Sequence, residues 1–304
     1  MSGNSHLLGG LYGALVGDAV GCPYEFTRAD EIPPYEAIEM IPPKDFDRAW
    51  ADIEVGTYTD DGAQALVLLH TINTCVPGDF VPQLHANLVR WKEEGFMSVD
   101  GFTFDVGNQT MLALTGSVQE VTEVLSGDHF AGNGSLMRCI AVPLTAPTLV
   151  EAVRMGAYQS RATHPSKLCQ VTCAMYSAIC WQLLHCTDDI GEALIVGMLT
   201  IRSLMPEYSE ALDKLMAGRR DEPTGSGYVV NSFWSAMHAM WTGNGYEDVI
   251  KKAIQLGNDT DTTACIAGGM AGIMYGHHSI PEKWLTMLRG RATIDPLATS
   301  LTGG

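Results

Sequence analysis

Apolar residues recur along most of the chain at the three- to four-residue spacing of amphipathic helices. Clusters of Gly, Pro, Asn and Asp separate these segments, as expected where helices end. No segment shows the sustained two-residue alternation of a strand, and no strand–helix–strand rhythm is visible. The pattern predicts helices over residues 63–72, 81–94, 109–114, 149–159, 168–185, 190–204, 228–241 and 246–256.

Four glycines form a stripe near the start of the chain: Gly9, Gly13, Gly17 and Gly21. Residues four apart lie on one face of a helix. A glycine inside a helix costs up to about 1 kcal/mol relative to alanine, so four of them need a packing or site reason. We expect a second backbone to approach this face closely.

Residues 27–57 interrupt the helical pattern, and the proline-rich "EIPPYEAIEMIPPKD" within them predicts an extended surface loop. No repeat of 20–50 residues and no linker is visible. The sequence therefore predicts an all-α fold, a single compact domain of several orthogonally packed helices over residues 1–304.

Composition narrows the possible partners. Hydrophobic residues make up 46% of the chain, and the net charge is −17. Such a charge argues against affinity for nucleic acid or for an anionic membrane, although an anionic small ligand can still bind if a cation mediates the contact. The most apolar run, Leu168–Leu184, contains Gln170 and Gln182, which predicts a buried core helix rather than a membrane span.

The cysteines and the start of the chain indicate a compartment. The eight cysteines include no C-x-x-C pair, and Cys169 and Cys173 share a helical face as small core residues would. The first residues lack a basic leader and carry Asp18, which is untypical of a signal peptide. We expect reduced thiols and a cytoplasmic protein; the oligomeric state is left open.

Two segments place paired carboxylates and hydroxyls before apolar, uncharged helices. They are "TDD" at residues 59–61 and "DTDT" at residues 259–262, and no Lys or Arg occurs at residues 49–89 or 253–282. Helix capping would explain one Asp and one Thr in each segment. If the segments met, however, four carboxylates would repel each other unless cations neutralised them.

The ligand chemistry of a cation site would be all oxygen. Carboxylates and hydroxyls select Mg²⁺, Mn²⁺ or Ca²⁺ over Zn²⁺. Two ions about 4 Å apart would suit four such carboxylates. The spacing alone leaves both capping and metal binding open.

Five motifs in order resemble those of the ADP-ribosylglycohydrolases. They are "GDAVGCPYEF" at 17–26, "TDD" at 59–61, "GNGSLMR" at 132–138, "THP" at 163–165 and "GNDTDT" at 257–262. Each is weak alone, but the ordered set is specific, and the matches span residues 9–276. The resemblance is to the family of the dinitrogenase reductase-activating glycohydrolase and the ADP-ribosylarginine and ADP-ribosylserine hydrolases.

The resemblance implies an all-helical fold and a centre of two Mg²⁺, with Mn²⁺ as the alternative, that holds the 2″ and 3″ hydroxyls of the distal ribose. By motif matching, the metal ligands would be Thr59, Asp60, Asp61, Asp259, Asp261 and Thr262. The implied catalytic residues are Glu25, Asp60, Asp61 and Asp261. Glu25 ends the first motif, where it would act as a gate or base; without the resemblance it would be a solvated loop acid.

The resemblance also implies contacts to ADP-ribose. The residues carried over are Gly107, Gly132, Asn133, Gly134, Ser135, Met137 and His164. Small residues let backbone N–H groups approach phosphate oxygens, but "GNGSLMR" is not a P-loop because no G-K-[ST] follows. Read without the resemblance, the glycines would form an ordinary turn and His164 would be a capping or core residue. Arg138 is a candidate for an internal ion pair.

The resulting functional hypothesis is a Mg²⁺-dependent hydrolase that removes ADP-ribose from a modified protein side chain, with arginine as the first candidate. Alternatives are a serine or O-acetyl linkage, or a non-catalytic ADP-ribose binder. "DTDTT" also fits the nucleophile motif of haloacid-dehalogenase-type phosphatases, but that motif should follow a buried strand early in a doubly wound domain. Two positions depart from the family pattern: Asn258 replaces a common glycine, and Gly62 replaces a common Thr or Ser.

Overall fold

The computed structural model describes residues 2–76, 78–127 and 129–303, and these residues contain helices and no strand. An isolated backbone bridge pairs Gly132 with Tyr228. The α-helices are α1 (Ser2–Gly21), α2 (Asp60–Thr74), α3 (Phe80–Glu94), α4 (Asn108–Ala113), α5 (Val118–Leu125), α6 (Ala141–Thr145), α7 (Leu149–Ser160), α8 (Lys167–His185), α9 (Ile190–Leu204), α10 (Ser209–Ala217), α11 (Val229–Thr242), α12 (Tyr246–Ile254), α13 (Thr260–Tyr275), α14 (Glu282–Met287) and α15 (Arg291–Leu301). The predicted all-α fold is confirmed.

The glycine stripe of α1 packs directly on the backbone of α13. A Cβ atom on Gly13 would lie 2.4 Å from the carbonyl oxygen of Gly268, and one on Gly17 would lie 2.2 Å from that of Ala264. At the end of the stripe, a Cβ on Gly21 would lie 2.5 Å from the Cα of Asp261. The predicted close approach is confirmed, and it brings the end of α1 against the start of α13.

Helices α8 and α13 lie in the core. Nearly every residue of α13 is buried, and α8 is buried along most of its length, including Gln170 and Gln182. The expectation of a buried core helix is therefore confirmed. No helix in the described part of the chain is long and apolar enough to cross a membrane. The eight cysteines all lie in that part of the chain, and none of them forms a disulfide.

The loop that follows α1 is irregular, as predicted, but it does not lie only on the surface. Ile38 and Met40 are fully buried. Between them, the Glu39 carboxylate accepts a hydrogen bond from Trp284 Nε1 at 2.8 Å and pairs with Lys283. The loop is thus anchored in the core near its middle, while its two ends remain beside the cavity described below.

Candidate functional site

A cavity of about 760 Å³ collects most of the residues singled out from the sequence. The predicted residues that line it are Glu25, Asp60, Asp61, Gly107, Gly132, Asn133, Gly134, Met137, His164, Asp259 and Thr262. They come from six separate stretches of the chain. The fold therefore brings the two carboxylate segments together with the loop of residues 132–134, called the glycine loop below.

Three predicted residues do not line the cavity. Thr59 is buried at the start of α2, where its hydroxyl accepts a hydrogen bond from the backbone of Asp61 at 3.3 Å. Asp261 is buried at the start of α13. Ser135 is fully buried, and its hydroxyl accepts a hydrogen bond from Ser160 at 2.8 Å. The Ser135 hydroxyl therefore forms its hydrogen bond within the protein and does not line the cavity.

The start of α2 is held by a carboxylate from α1. Both oxygens of Asp18 accept the backbone N–H of Thr59 at 3.0 Å, and Oδ2 also accepts that of Gly62 at 2.8 Å. Asp18 takes over part of the capping that Asp60 and Asp61 would otherwise supply. Their carboxyl groups are consequently free for other contacts.

At the start of α13, Asp259 occupies the N-cap position but makes no capping hydrogen bond with its side chain. Its Oδ2 instead accepts a hydrogen bond from Asn133 Nδ2 at 2.7 Å, which ties it to the glycine loop. Capping therefore accounts for the Thr59 hydroxyl but not for the Asp259 carboxylate.

The two carboxylate segments meet. The hydroxyl of Thr262 donates a hydrogen bond to Asp61 Oδ1 at 3.2 Å, across 201 positions of sequence. Asp61 Oδ2 and Asp261 Oδ1 are buried and have no hydrogen-bond partner. Buried carboxylate oxygens are costly to leave unpaired. These two oxygens are therefore available to a divalent cation.

Asp105 joins this cluster, although no sequence motif marked it. Glu25, Asp105 and Asp261 each offer a carboxylate oxygen within 4.8 Å of the other two. Asp105 opens the segment "DVGNQT", from which only Gly107 was selected. Its backbone φ of +57° is uncommon for a residue other than glycine. The signal that could have identified Asp105 was its position two residues before Gly107, a candidate ligand-binding glycine.

Burial raises the pKa of five acids in this cluster. It raises the pKa of Glu25 to about 9, with a further contribution from the charge of Asp105. Burial likewise raises the pKa of Asp105 to about 6. The pKa values of Asp60, Asp61 and Asp261 are raised well above the usual range, first by burial and then by neighbouring carboxylates. Burial without a compensating cation therefore favours the protonated forms of these acids.

Arg138 is a fully buried cation that is linked to this cluster by hydrogen bonds. In the described part of the chain it forms no direct ion pair with a carboxylate. Its Nε donates to Gln159 Oε1 and its Nη1 to Gln64 Oε1, both at 2.9 Å. Gln64 in turn donates to Asp60 Oδ2 at 3.1 Å. Arg138 is internal, but the expected ion pair is not formed among the described residues, and the amide of Gln64 connects Arg138 to the site.

The glycine loop packs against His164. A Cβ atom on Gly134 would lie 2.8 Å from His164 Cε1 and 3.0 Å from Thr110 Oγ1, so a side chain would enter space that other groups occupy. His164 Nδ1 lies 2.8 Å from the Thr163 hydroxyl. Burial lowers the pKa of His164 to about 3, so the ring is neutral. His164 presents an uncharged ring to the cavity.

Comparison with known proteins identifies the family. A family model described as ADP-ribosylglycohydrolase matches residues 3–304. The chain belongs to the ADP-ribosylglycohydrolase family. The assignment makes it an enzyme of the ADP-ribosyl glycohydrolase type and confirms the resemblance seen in the sequence motifs.

Individual relatives cover nearly the whole chain. It is 31% identical over 298 residues to ADP-ribosylarginine hydrolase Tri1 of Pseudomonas putida (strain GB-1), covering 96% of this chain and 76% of that protein. It is 29% identical over 297 residues to the protein of the same name from Serratia proteamaculans (strain 568), covering 96% and 78%. A solved structure described as an ADP-ribosylglycohydrolase-related protein complex aligns with a TM-score of 0.75 at 25% identity, covering 99% of this chain and 98% of that one.

The phosphatase interpretation of "DTDTT" has no structural support. In this ADP-ribosylglycohydrolase the motif follows helix α12 and opens helix α13, and the described part of the chain has no strand to carry it. A haloacid-dehalogenase nucleophile would need a strand at that point.

The structure gives physical reasons for both departures from the family pattern. Asn258 has a φ of +61°, a conformation that glycine adopts freely and asparagine tolerates. Its backbone N–H donates to Thr27 O and its side chain to Thr224 O, both at 2.7 Å. Gly62 leaves room for Asp18, since a Cβ there would lie 2.8 Å from Asp18 Oδ2.

Proposed function

We propose that this glycohydrolase is Mg²⁺-dependent and cleaves the bond between ADP-ribose and an arginine side chain of a modified protein. One observation carries the proposal: the starts of α2 and α13, each with paired carboxylates, meet at one cavity. Buried oxygens of Asp61 and Asp261 there have no hydrogen-bond partner. Such oxygens match the ligands that Mg²⁺ and Mn²⁺ prefer.

Two divalent ions are proposed for this donor set. Thr59, Asp60 and Asp61 would contribute from the start of α2, and Asp259, Asp261 and Thr262 from the start of α13. When bound, such ions orient ribose hydroxyls, neutralise the carboxylates and lower the pKa of water. Mn²⁺ is the expected substitute because it takes the same oxygen ligands.

The rest of the cavity suits an ADP-ribose unit. Gly132 and Gly134 present backbone without side chains, and a neutral His164 lies against them. Asn133 links this loop to Asp259 through its amide. The glycine loop would therefore receive the diphosphate end while the carboxylate cluster receives the distal ribose.

Hydrolysis adds water across the bond between C1″ of the ribose and the arginine nitrogen. The water oxygen bonds to carbon, the carbon–nitrogen bond breaks, and one water proton ends on the departing guanidine. Glu25 and Asp105 are the carboxyl groups placed together beside Asp261, so they are the groups proposed to move that proton. Trp50 Nε1 donates to Glu25 Oε2 at 2.6 Å and holds that carboxyl in place.

The arginine linkage is chosen because two relatives that align over nearly the whole chain are named ADP-ribosylarginine hydrolases. Serine- and O-acetyl-linked ADP-ribose are the alternative substrates. A non-catalytic ADP-ribose binder is the remaining alternative, and the complete set of six candidate ligands argues against it.

A substrate panel tests the proposal. Release of free ADP-ribose is measured from arginine-, serine- and O-acetyl-linked substrates, with Mg²⁺ and with chelator. We expect Mg²⁺-dependent release from the arginine-linked substrate, lost in Asp261→Asn and retained in Asp188→Asn, a control at an exposed aspartate. Turnover that survives both the chelator and Asp261→Asn would refute the metal-dependent mechanism. Binding of ADP-ribose with no turnover of any substrate would favour the non-catalytic alternative.

A further inference from the structure

Three residues that line the cavity, and a fourth whose side chain donates a hydrogen bond to Glu25, have left-handed backbone conformations although none is glycine. They are Phe26 (φ +62°), Trp50 (φ +53°), Asp105 (φ +57°) and Asn258 (φ +61°). Asparagine and aspartate tolerate this region, but bulky aromatic residues rarely occupy it. Such strain concentrates at functional sites. Phe26 and Trp50 are therefore the two positions that most need a functional reason.

Phe26 is an exposed aromatic ring at the edge of the cavity. It directly follows Glu25, lines the cavity, and is 69% exposed. Its backbone N–H donates to the carbonyl of Asn258 at 2.7 Å, which fixes the loop against the start of α13. The protein thus holds a large apolar ring in solvent beside a group of carboxyls.

Trp50 is the second ring beside these carboxyl groups. Its centroid lies 6.0 Å from that of Phe26 and 5.4 Å from that of Phe104, edge to face with the latter. Its indole N–H donates a hydrogen bond to the Glu25 carboxyl. Contacts with Glu25 and with the two phenylalanine rings therefore hold the indole in place. Two aromatic rings and the Glu25–Asp105 pair therefore adjoin one another.

This combination matches one class of leaving group. A guanidinium is planar and cationic, is attracted to aromatic rings, and bonds carboxylates through two parallel N–H groups. A serine hydroxyl or an acetyl group is neutral and gains nothing comparable from the rings. The discrimination would thus come from the chemistry of the leaving group, not from the ADP-ribose shared by all these substrates.

We propose that Phe26 and Trp50, with the carboxyl groups of Glu25 and Asp105, form the subsite that holds the guanidinium and selects arginine-linked over oxygen-linked ADP-ribose. The inference rests on the proposed function and deepens it, because it assigns the linkage specificity to particular residues. Glu25 and Asp105 also serve the reaction, whereas Phe26 acts in recognition of the leaving group.

The test compares Phe26→Leu and Trp50→Leu with wild type on an ADP-ribosylarginine peptide and an ADP-ribosylserine peptide. We expect KM for the arginine-linked peptide to rise about tenfold in Phe26→Leu, the scale of one cation–π contact. KM for the serine-linked peptide should stay unchanged. Trp50→Leu should also lower kcat, because it removes the hydrogen bond to Glu25. Trp50→Phe loses the same hydrogen bond but keeps an aromatic ring, so it separates the effect of the hydrogen bond from that of the ring.

The matched control is Phe102→Leu. Phe102 is 60% exposed and stacks on Phe104 but does not line the cavity, so its loss should leave KM for both peptides unchanged. Equal changes in both peptides for Phe26→Leu would overturn the inference while the proposed function stands. A wild-type enzyme that hydrolyses only the serine-linked peptide would overturn both the inference and the proposed arginine linkage.

A binding measurement separates this inference from the proposed function. Methylguanidinium is titrated by NMR into wild type and Phe26→Leu with ADP-ribose present, and methylammonium serves as a cation without a planar face. Binding of methylguanidinium weakened about tenfold in Phe26→Leu, with methylammonium unaffected, supports the subsite even if no substrate is hydrolysed. Equal binding of methylguanidinium to the two proteins overturns it.

Discussion

At the scale of single residues, small or absent side chains make room for polar contacts. Gly62 leaves space for the Asp18 carboxylate, which holds the start of α2, and Gly134 leaves space for His164. Asn258 combines a left-handed backbone with bonds to two neighbouring segments. In each case a glycine or a tolerant asparagine is explained by what lies next to it.

Gly134→Ala should destabilise the protein and weaken ADP-ribose binding. The added methyl group would meet His164 Cε1 at 2.8 Å, and His164 is buried and unable to move freely. Overpacking of this kind costs about 1–3 kcal/mol. Urea unfolding and calorimetry with ADP-ribose measure the two effects.

Gly107→Ala is the control for this substitution. The nearest atom to a Cβ on Gly107 is Thr110 Oγ1 at 4.0 Å, so the methyl group fits without displacing anything. Equal losses of stability in the two variants would contradict the explanation by crowding at His164.

At the scale of helices, the pairing of α1 with α13 determines where the site residues lie. The glycines of α1 allow backbone contact with α13, and the last of them meets Asp261. Asp18 on the same helix holds the start of α2. One helix therefore positions both carboxylate segments, although neither segment belongs to it.

Gly17→Ala should lower both stability and activity. Its Cβ would lie 2.2 Å from the backbone oxygen of Ala264, so the two helices must separate. We expect a loss of at least about 1–3 kcal/mol in the free energy of unfolding, together with lower turnover because Asp261 moves with α13. Circular dichroism melts and the ADP-ribose release assay report these losses.

The same substitution elsewhere on α1 provides the comparison. A Cβ on Gly3 has no neighbour within 4 Å. Gly3→Ala should be neutral or stabilise by up to about 1 kcal/mol through helix propensity. If Gly3→Ala and Gly17→Ala behave alike, the glycine stripe has no special packing role.

Helices with strong periodicity could be predicted from sequence, and most of the short ones could not. Predictions for α2, α3, α4, α7, α8, α9, α11 and α12 agree with the structure to within a few residues. The helices α5, α6, α10, α14 and α15 were not predicted. The α15 pattern is interrupted by Pro296, and α6 and α14 are too short to show a period. Helix α5 did carry a readable start signal, the capping box of Ser117 and Glu120.

Site residues that belong to a recognisable motif could be predicted from the sequence, and the others could not. Paired carboxylates pointed to Asp61 and Asp261, but their juxtaposition depends on contacts across about 200 residues, which no local pattern encodes. Asp105 was missed because a single acid in a loop has no spacing to distinguish it. Ser135 was selected as part of a motif, yet its side chain bonds within the protein.

At the scale of the whole molecule, the metal-free protein should lose stability as pH rises. Burial raises the pKa of Asp105 to about 6, of Asp18 to about 7 and of Glu25 to about 9. In the unfolded chain the pKa values of the same groups are about 4. The folded state therefore binds more protons than the unfolded state between about pH 4 and about pH 9, and stability falls across that window.

Thermal melts in chelator at pH 5, 7 and 9 measure this dependence. The melting temperature should fall with rising pH, and saturating Mg²⁺ should restore it most at the higher pH because a cation stabilises the ionised carboxylates. A melting temperature that rises steadily from pH 5 to pH 9 in chelator would contradict the effect of the buried acids.

The central claim is that two carboxylate segments, about 200 residues apart, form one metal site. Its most direct test is titration of the chelator-treated protein with Mn²⁺, followed by electron paramagnetic resonance, for wild type, Asp61→Asn, Asp261→Asn and the control Asp188→Asn. The account predicts that Asp61→Asn and Asp261→Asn each weaken Mn²⁺ binding at least about tenfold and that Asp188→Asn does not. Wild-type Mn²⁺ affinity in both Asp61→Asn and Asp261→Asn would contradict it.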